Sequence, residues 1–175
     1  MSTKNNNVST AATALILCLV CSVMVSAVAV GLKPKQQENA RLDLNKNILM
    51  AADMYDPETE SADVIAERFA DFEIRLVNLQ TGQFATEQEI MASGISDVNS
   101  YNVSKAARTP SLSTSLTNDI AKIGGKPNFA KVYLAKDTNG QLEQIVLPIH
   151  GAGLWGPIFG LLTLDKDLNT IKGVN

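Results

Sequence analysis

The chain has 175 residues, 45% of them hydrophobic and 19% charged, with a net charge of −3. Lys4 is the one basic residue before Lys33, so residues 33–175 carry 14 basic and 18 acidic side chains, net −4. That acidic balance leaves no electrostatic footprint for a nucleic-acid partner. Cys18 and Cys21 are the only cysteines and His150 the only histidine. A disulfide framework and a Cys/His metal cluster are therefore excluded for the region after residue 32.

Ala11 to Leu32 holds no charged residue over 22 positions. At about 1.5 Å per residue such a helix crosses a hydrocarbon core of about 30 Å. The run has a weak basic flank at Lys4 and an A-x-A site at Ala27-Val28-Ala29, as a cleaved signal would. It is longer than a usual signal core, continues to Leu32 and meets Lys33 and Lys35, which favours a retained anchor. Residues 1–10 are then a tail, 11–32 the membrane span and 33–175 one domain. Lys4 against Lys33, Lys35 and Arg41 places the domain on the cytoplasmic side by charge count alone. The span contains Thr13, Ser22 and Ser26 but no ionisable side chain other than its two thiols, so it reads as an anchor and not as an ion path. Small residues at Ser22, Ser26 and Ala29 leave room for another helix. Cys18 and Cys21 share a helix face, which invites a redox or metal reading. With no second ligand pair, small apolar filler is the preferred reading.

Apolar positions at Ala40, Leu44, Ile48 and Ala51 predict a second helix over 36–52, set off from the first at Pro34. Asp56-Pro57 predicts the start of another, running to about Ala70 with Asp56 as N-cap. Phe72, Ile74 and Leu76 alternate as a strand to Leu79, and Thr81-Gly82 turns the chain toward Phe84. Residues 86–128 are polar and interrupted, with Pro110 and Gly124-Gly125-Lys126-Pro127 as breaks. They predict a partly mobile surface excursion, helical in part near Lys105. Strands follow over 129–136 and 142–149, joined by the Asn139-Gly140 hairpin signal, then over 158–164, with another beginning at Ile171. The last strand is barely begun at Asn175, which predicts an unpaired edge and an incomplete domain.

No nucleophile elbow, P-loop or G-x-G-x-x-G pattern is present. The most distinctive stretch is Pro148-Ile149-His150-Gly151-Ala152-Gly153-Leu154-Trp155-Gly156. Two close glycines permit a tight bend, and the only tryptophan follows them. Two readings stand side by side: an aromatic placed to stack on a planar cofactor, or a strand-to-strand corner with Trp155 in the core. His150 by itself reads as a hydrogen-bonded structural residue.

Three passages taken together resemble the C subunit of the Na+-translocating NADH:quinone reductases. They are the anchor from Leu17 to Lys33, the segment Ile74 to Phe84, and Val132-Tyr133-Leu134 followed by Leu147 to Trp155. The resemblance implies an α+β fold: one helix in the inner membrane plus an FMN-binding domain with an antiparallel sheet and flanking helices, on the periplasmic side. It implies partnership with the other subunits of the complex. It also implies covalent FMN, on a threonine of a Ser/Thr-Gly-Ala-Thr-x-Ser/Thr motif, relaying electrons from NADH toward ubiquinone while Na+ is pumped outward. The chain departs from that pattern. It contains no Gly-Ala-Thr, the nearest string being Gly151-Ala152-Gly153. The acceptor threonine is expected beyond residue 175, and the domain over 33–175 is expected to be incomplete at its C-terminus. What carries over is Leu154 and Trp155 beside the flavin ring, with His150, Gly151 and Gly153 as their neighbours. Two alternatives remain: from another class, a membrane-tethered periplasmic adaptor without cofactor; and a related ferredoxin-linked electron-transport subunit that shares the fold and flavin attachment.

Overall fold

The apolar run and the amphipathic stretch after it form one helix. In the computed structural model, which describes residues 3–119 and 125–175 (backbone alone for 3–7), α1 spans Thr3–Ala51 with Pro34 inside it. The expected separation into two helices at Pro34 is not found. Proline removes one backbone donor, but strong helix formers on both sides carry the helix through. Residues 8–44 are exposed on all faces, and the helix is long and apolar enough to cross a membrane. Its hydroxyls are satisfied internally: Thr13 Oγ1 donates to Ser9 O at 2.9 Å and Ser22 Oγ to Cys18 O at 2.7 Å. Such back-bonding pairs these two hydroxyls within the helix, so neither faces lipid without a partner. Cys18 and Cys21 are exposed on this helix.

The chain divides into two units, Met1–Asp43 and Leu44–Asn175. The second is built on a five-stranded antiparallel sheet, in the order β1 (Phe72–Asn78), β4 (Phe129–Lys136), β5 (Leu142–Ala152), β6 (Pro157–Asp165) and β7 (Ile171–Val174). Helix α2 covers only Val64–Phe69. The predicted helix start at Asp56 is corrected. Its carboxylate accepts from Glu58 N at 2.9 Å and Thr59 Oγ1 at 3.0 Å, which closes a turn. An aspartate bonded to its own next residues competes with helix in this way. Arg68 then pairs with Glu60 and donates to the carbonyl of Met54, pinning that turn to α2. Strand β1 is Phe72–Asn78, and the turn after it has Gly82 at φ +73°.

The 86–128 region is not only a surface excursion. Helix α3 (Glu87–Ala92) opens on a capping box between Thr86 and Glu89. Helix α4 (Val103–Ala106) is capped by Asn102, which accepts from Lys105 N at 2.9 Å. Strands β2 (Ser113–Ser115) and β3 (Gly125–Pro127) pair with each other. Ile95, Tyr101 and Ala106 from this region bury themselves against Leu76 and Phe129. Those apolar residues are too irregularly spaced to show a period, so their common core is visible only in three dimensions. Of the break expected at 124–127, Gly124 lies outside the described residues and the remainder is β3.

Strands β4 (Phe129–Lys136), β5 (Leu142–Ala152), β6 (Pro157–Asp165) and β7 (Ile171–Val174) complete the sheet. The turn at Asn139-Gly140 forms as expected, with Gly140 at φ +77°. Register places Phe72, Ile74, Tyr133, Ala135, Val146 and Leu161 on one face. Ile48, Leu49, Ala51, Ala52 and Ile65 pack on that face to make the main core. The architecture is α+β, with the helical layer gathered on one face of an antiparallel sheet.

Candidate functional site

The distinctive Pro148–Gly156 stretch is the end of the β5–β6 hairpin. Pairing runs from Gln144↔Asp165 to Ala152↔Pro157, and Gly153 N donates to Gly156 O at 2.9 Å to close the loop. A Cβ at Gly153 would lie 2.6 Å from Gly156 O and 2.6 Å from Ile158 Cγ1, so the close approach requires glycine there. Leu154 and Trp155 occupy the tip and are 91% and 97% exposed. The expectation of a corner with Trp155 in the core is overturned. Four residues between paired strands leave the tip no layer to pack beneath.

Alternation along the hairpin sends Pro148 and His150 of β5, with Phe159 and Leu161 of β6, to the helical face of the sheet. His150 stacks on Phe159, ring centroids 5.9 Å apart at 29°. Together with Lys131 they line a groove of about 480 Å³, flanked by Leu44 and Asn47 of α1 and by Val103 and Ser104 of α4. A second cavity of about 290 Å³ continues the groove toward the tip, along Ala107, Arg108, Gly151 and Gly153, and shares Ser104, His150 and Phe159 with the first. The first volume is in the range of small-ligand clefts, and the second is just below it.

The groove is mostly apolar with a few polar groups. Lys131 is buried and its Nζ donates to Asn99 O at 2.8 Å. Burial pulls its pKa down, and the Asp97 carboxylate works against that shift. Asp97 is itself held below the usual carboxylate range, first by Asn99 N, from which it accepts at 2.9 Å. Tyr101 OH donates to Phe129 O at 3.1 Å, and burial raises its pKa. These bonds fix the 97–101 turn over the β4 end of the groove.

Of the residues singled out from sequence, His150, Gly151 and Gly153 line the groove, while Leu154 and Trp155 stand at its tip and outside its lining. Lys131, Phe159 and Ser104 were not singled out. Lys131 had a signal: it shares parity with Phe129 and Tyr133 in an apolar strand, so alternation turns it inward. Phe159 and Ser104 had none, because only strand pairing and the packing of α4 bring them to His150.

The fit of a planar, anionic cofactor divides in two. An apolar floor with an aromatic pair and a buried cation suits a heteroaromatic ring. Covalent attachment through a phosphothreonine is not supplied by these 175 residues, which contain no Gly-Ala-Thr.

No protein-family model matches the chain. Among curated proteins it is similar to the C subunit of the Na(+)-translocating NADH-quinone reductase of Pasteurella multocida, 38% identical over 162 residues, covering 91% of this chain and 58% of that protein. The protein of the same name from Pseudomonas aeruginosa is 37% identical over 175 residues, covering 99% of this chain and 64% of the relative. The chain thus spans less than two thirds of the length of these relatives. Among solved structures it resembles Shewanella oneidensis NqrC, with TM-score 0.62 and 33% identity, over 75% of this chain and 56% of that one. Over the residues it spans, the chain is similar to the C subunits of the Na(+)-translocating NADH-quinone reductases.

Proposed function

We propose that this chain is part of a membrane-anchored, flavin-handling subunit of a Na+-translocating NADH:quinone reductase. The reading has α1 in the inner membrane and the domain on the periplasmic side, among the other subunits of the complex. In it, electrons from NADH pass by way of FMN toward ubiquinone, coupled to outward Na+ transport. The observation that carries it is the groove beside the Gly151–Gly156 hairpin, in a chain 33–38% identical to proteins named as that subunit.

FMN, when bound, supplies the one-electron chemistry. The protein's part is to bind and orient the ring and to set its surroundings. Phe159 and Pro148 offer apolar surface, Ser104 and His150 polar edges, and Lys131 a buried positive charge. Leu154 and Trp155 border the ring at the tip in this reading, where their exposure leaves them available to cover it.

The single tryptophan gives a direct test. Full chain in detergent is titrated with FMN and with riboflavin while Trp155 emission is followed. Saturable quenching by both, weakened several-fold in Phe159→Ala, is expected. Quenching no greater than that of free tryptophan amide would reject the flavin groove.

A second reading, a tethered adaptor without cofactor, is favoured by one observation: an apolar tip left bare at 91% and 97% exposure has the form of a docking anchor. It predicts no flavin quenching.

A further inference from the structure

Three oxygens of the main core lack a hydrogen-bond donor among the described residues, and strand register sets them near one another. Gln144 Oε1 and Thr163 Oγ1 are buried without a partner. The third is the carbonyl of Ala51, the last residue of α1. Ala52, Asp53 and Met54 donate instead to Ile48, Met50 and Leu49, and no other N–H reaches Ala51 O.

Register brings the three together. Thr163 of β6 lies opposite Gly173 of β7 and opposite Val146 of β5. Gln144 is two residues from Val146 on β5, on the same face, so it is the diagonal neighbour of Thr163. The Ala51 carbonyl sits against Gly173: a Cβ there would be 2.3 Å from it. Irregularities in pairing at Ala135/Lys136 and at Thr163/Leu164 flank the spot. Around it the side chains are small, with Ala51, Ala52 and Ala135 all buried.

Leaving such groups unpaired is destabilising, and native interiors rarely retain them. We propose that one buried water molecule occupies this position. Its two hydrogens are donated to Ala51 O and Gln144 Oε1, and its oxygen accepts from the Thr163 hydroxyl. The set of two acceptors and one hydroxyl matches the hydrogen-bonding capacity of water, and three bonds is the usual number for a buried one. The water joins the end of α1 to the interior strands β5 and β6 at the point where the helix has run out of its own donors.

The test uses the full chain in detergent. A long-lived water should give cross-relaxation peaks to the Thr163 and Gly173 amides, and a high-resolution crystal structure should show density about 2.7–3.2 Å from all three oxygens. Thr163→Val should lower Tm by about 4 °C, while Thr163→Ser, which keeps the hydroxyl, should stay near wild type. A rise in Tm for Thr163→Val would mean that the hydroxyl is unpartnered, and would overturn the proposal. So would absence of the water peaks in the wild-type chain, a result that does not depend on the variant folding. Stability that increases with Na+ or K+ at constant ionic strength would assign the site to a metal ion instead.

Discussion

His150 and Phe159 face each other across β5 and β6, one cross-strand pair with rings 5.9 Å apart and inclined at 29°. The pair is the hinge of the groove, since both cavities are lined by it. Its stacking contributes about 0.5–1.5 kcal/mol, a modest share of stability at so exposed a place. Phe159→Ala is therefore expected to lower unfolding free energy by about 1 kcal/mol in urea titration, a small loss beside its several-fold effect on flavin quenching. A loss above about 3 kcal/mol would place Phe159 in the folding core instead.

Glycine is needed at Gly153 and not at Gly151. A Cβ at Gly153 would strike the Gly156 carbonyl, whereas none of the surrounding atoms comes within 4 Å of one at Gly151. Gly153→Ala should destabilise by about 1–3 kcal/mol through displacement of the hairpin tip. Gly151→Ala should change stability by no more than about 0.5 kcal/mol. Equal effects in thermal melts would mean that the tip is not closed as described.

The strongest stability effects are expected where α1 meets the sheet in the second unit. Ile48 and Leu49 are both 0% exposed in the main core. Leu49→Ala should cost about 2–5 kcal/mol, and Ile48→Val about 0.5–1.5 kcal/mol. Leu154→Ala, at the exposed tip, should cost less than about 0.5 kcal/mol. Chemical denaturation of the three variants separates core from tip, and a costly Leu154→Ala would contradict its exposure.

Asp167 gives the fold an acid-labile turn. Its carboxylate accepts from Thr170 Oγ1 at 2.6 Å, Thr170 N at 2.8 Å and Asn169 N at 3.0 Å, bonds that lower its pKa from 3.8 to about 2. A carboxyl depressed in the folded state stabilises fully above its unfolded pKa and loses that contribution as pH falls through its folded one. Stability from this turn is thus present at pH above about 4 and is lost between there and pH 2. Asp167→Asn should flatten the acid limb of a stability–pH curve, and an unchanged limb would show that the turn is not formed in solution.

The elements that sequence and structure share are those with a local cause. The charge-free run 11–32 is helical because an apolar backbone away from water satisfies its own hydrogen bonds. Strands β1, β4 and β5 show alternation or branched apolar runs, and Gly82 and Gly140 stand at positive φ where turns were expected. One miss has a local cause and another a tertiary one. Asp56-Pro57 has the form of a helix start, but the carboxylate bonds within its own turn, so α2 begins at Val64. Ile95, Tyr101 and Ala106 carry no period, yet they close a second core against Leu76 and Phe129.

Residue chemistry alone settled three things: a helix able to cross a membrane, an antiparallel sheet after it, and a glycine-bounded Leu154-Trp155 bend. Each depends on interactions between residues a few positions apart. Tertiary structure alone decided that Trp155 is bare and not buried, that Lys131 and Phe159 join His150 along one groove, and that the buried, unpartnered oxygens of Gln144 and Thr163 lie diagonally across β5 and β6. Those arrangements join residues on separate strands and helices, and strand register and helix packing, which no local pattern encodes, determine which side chains converge.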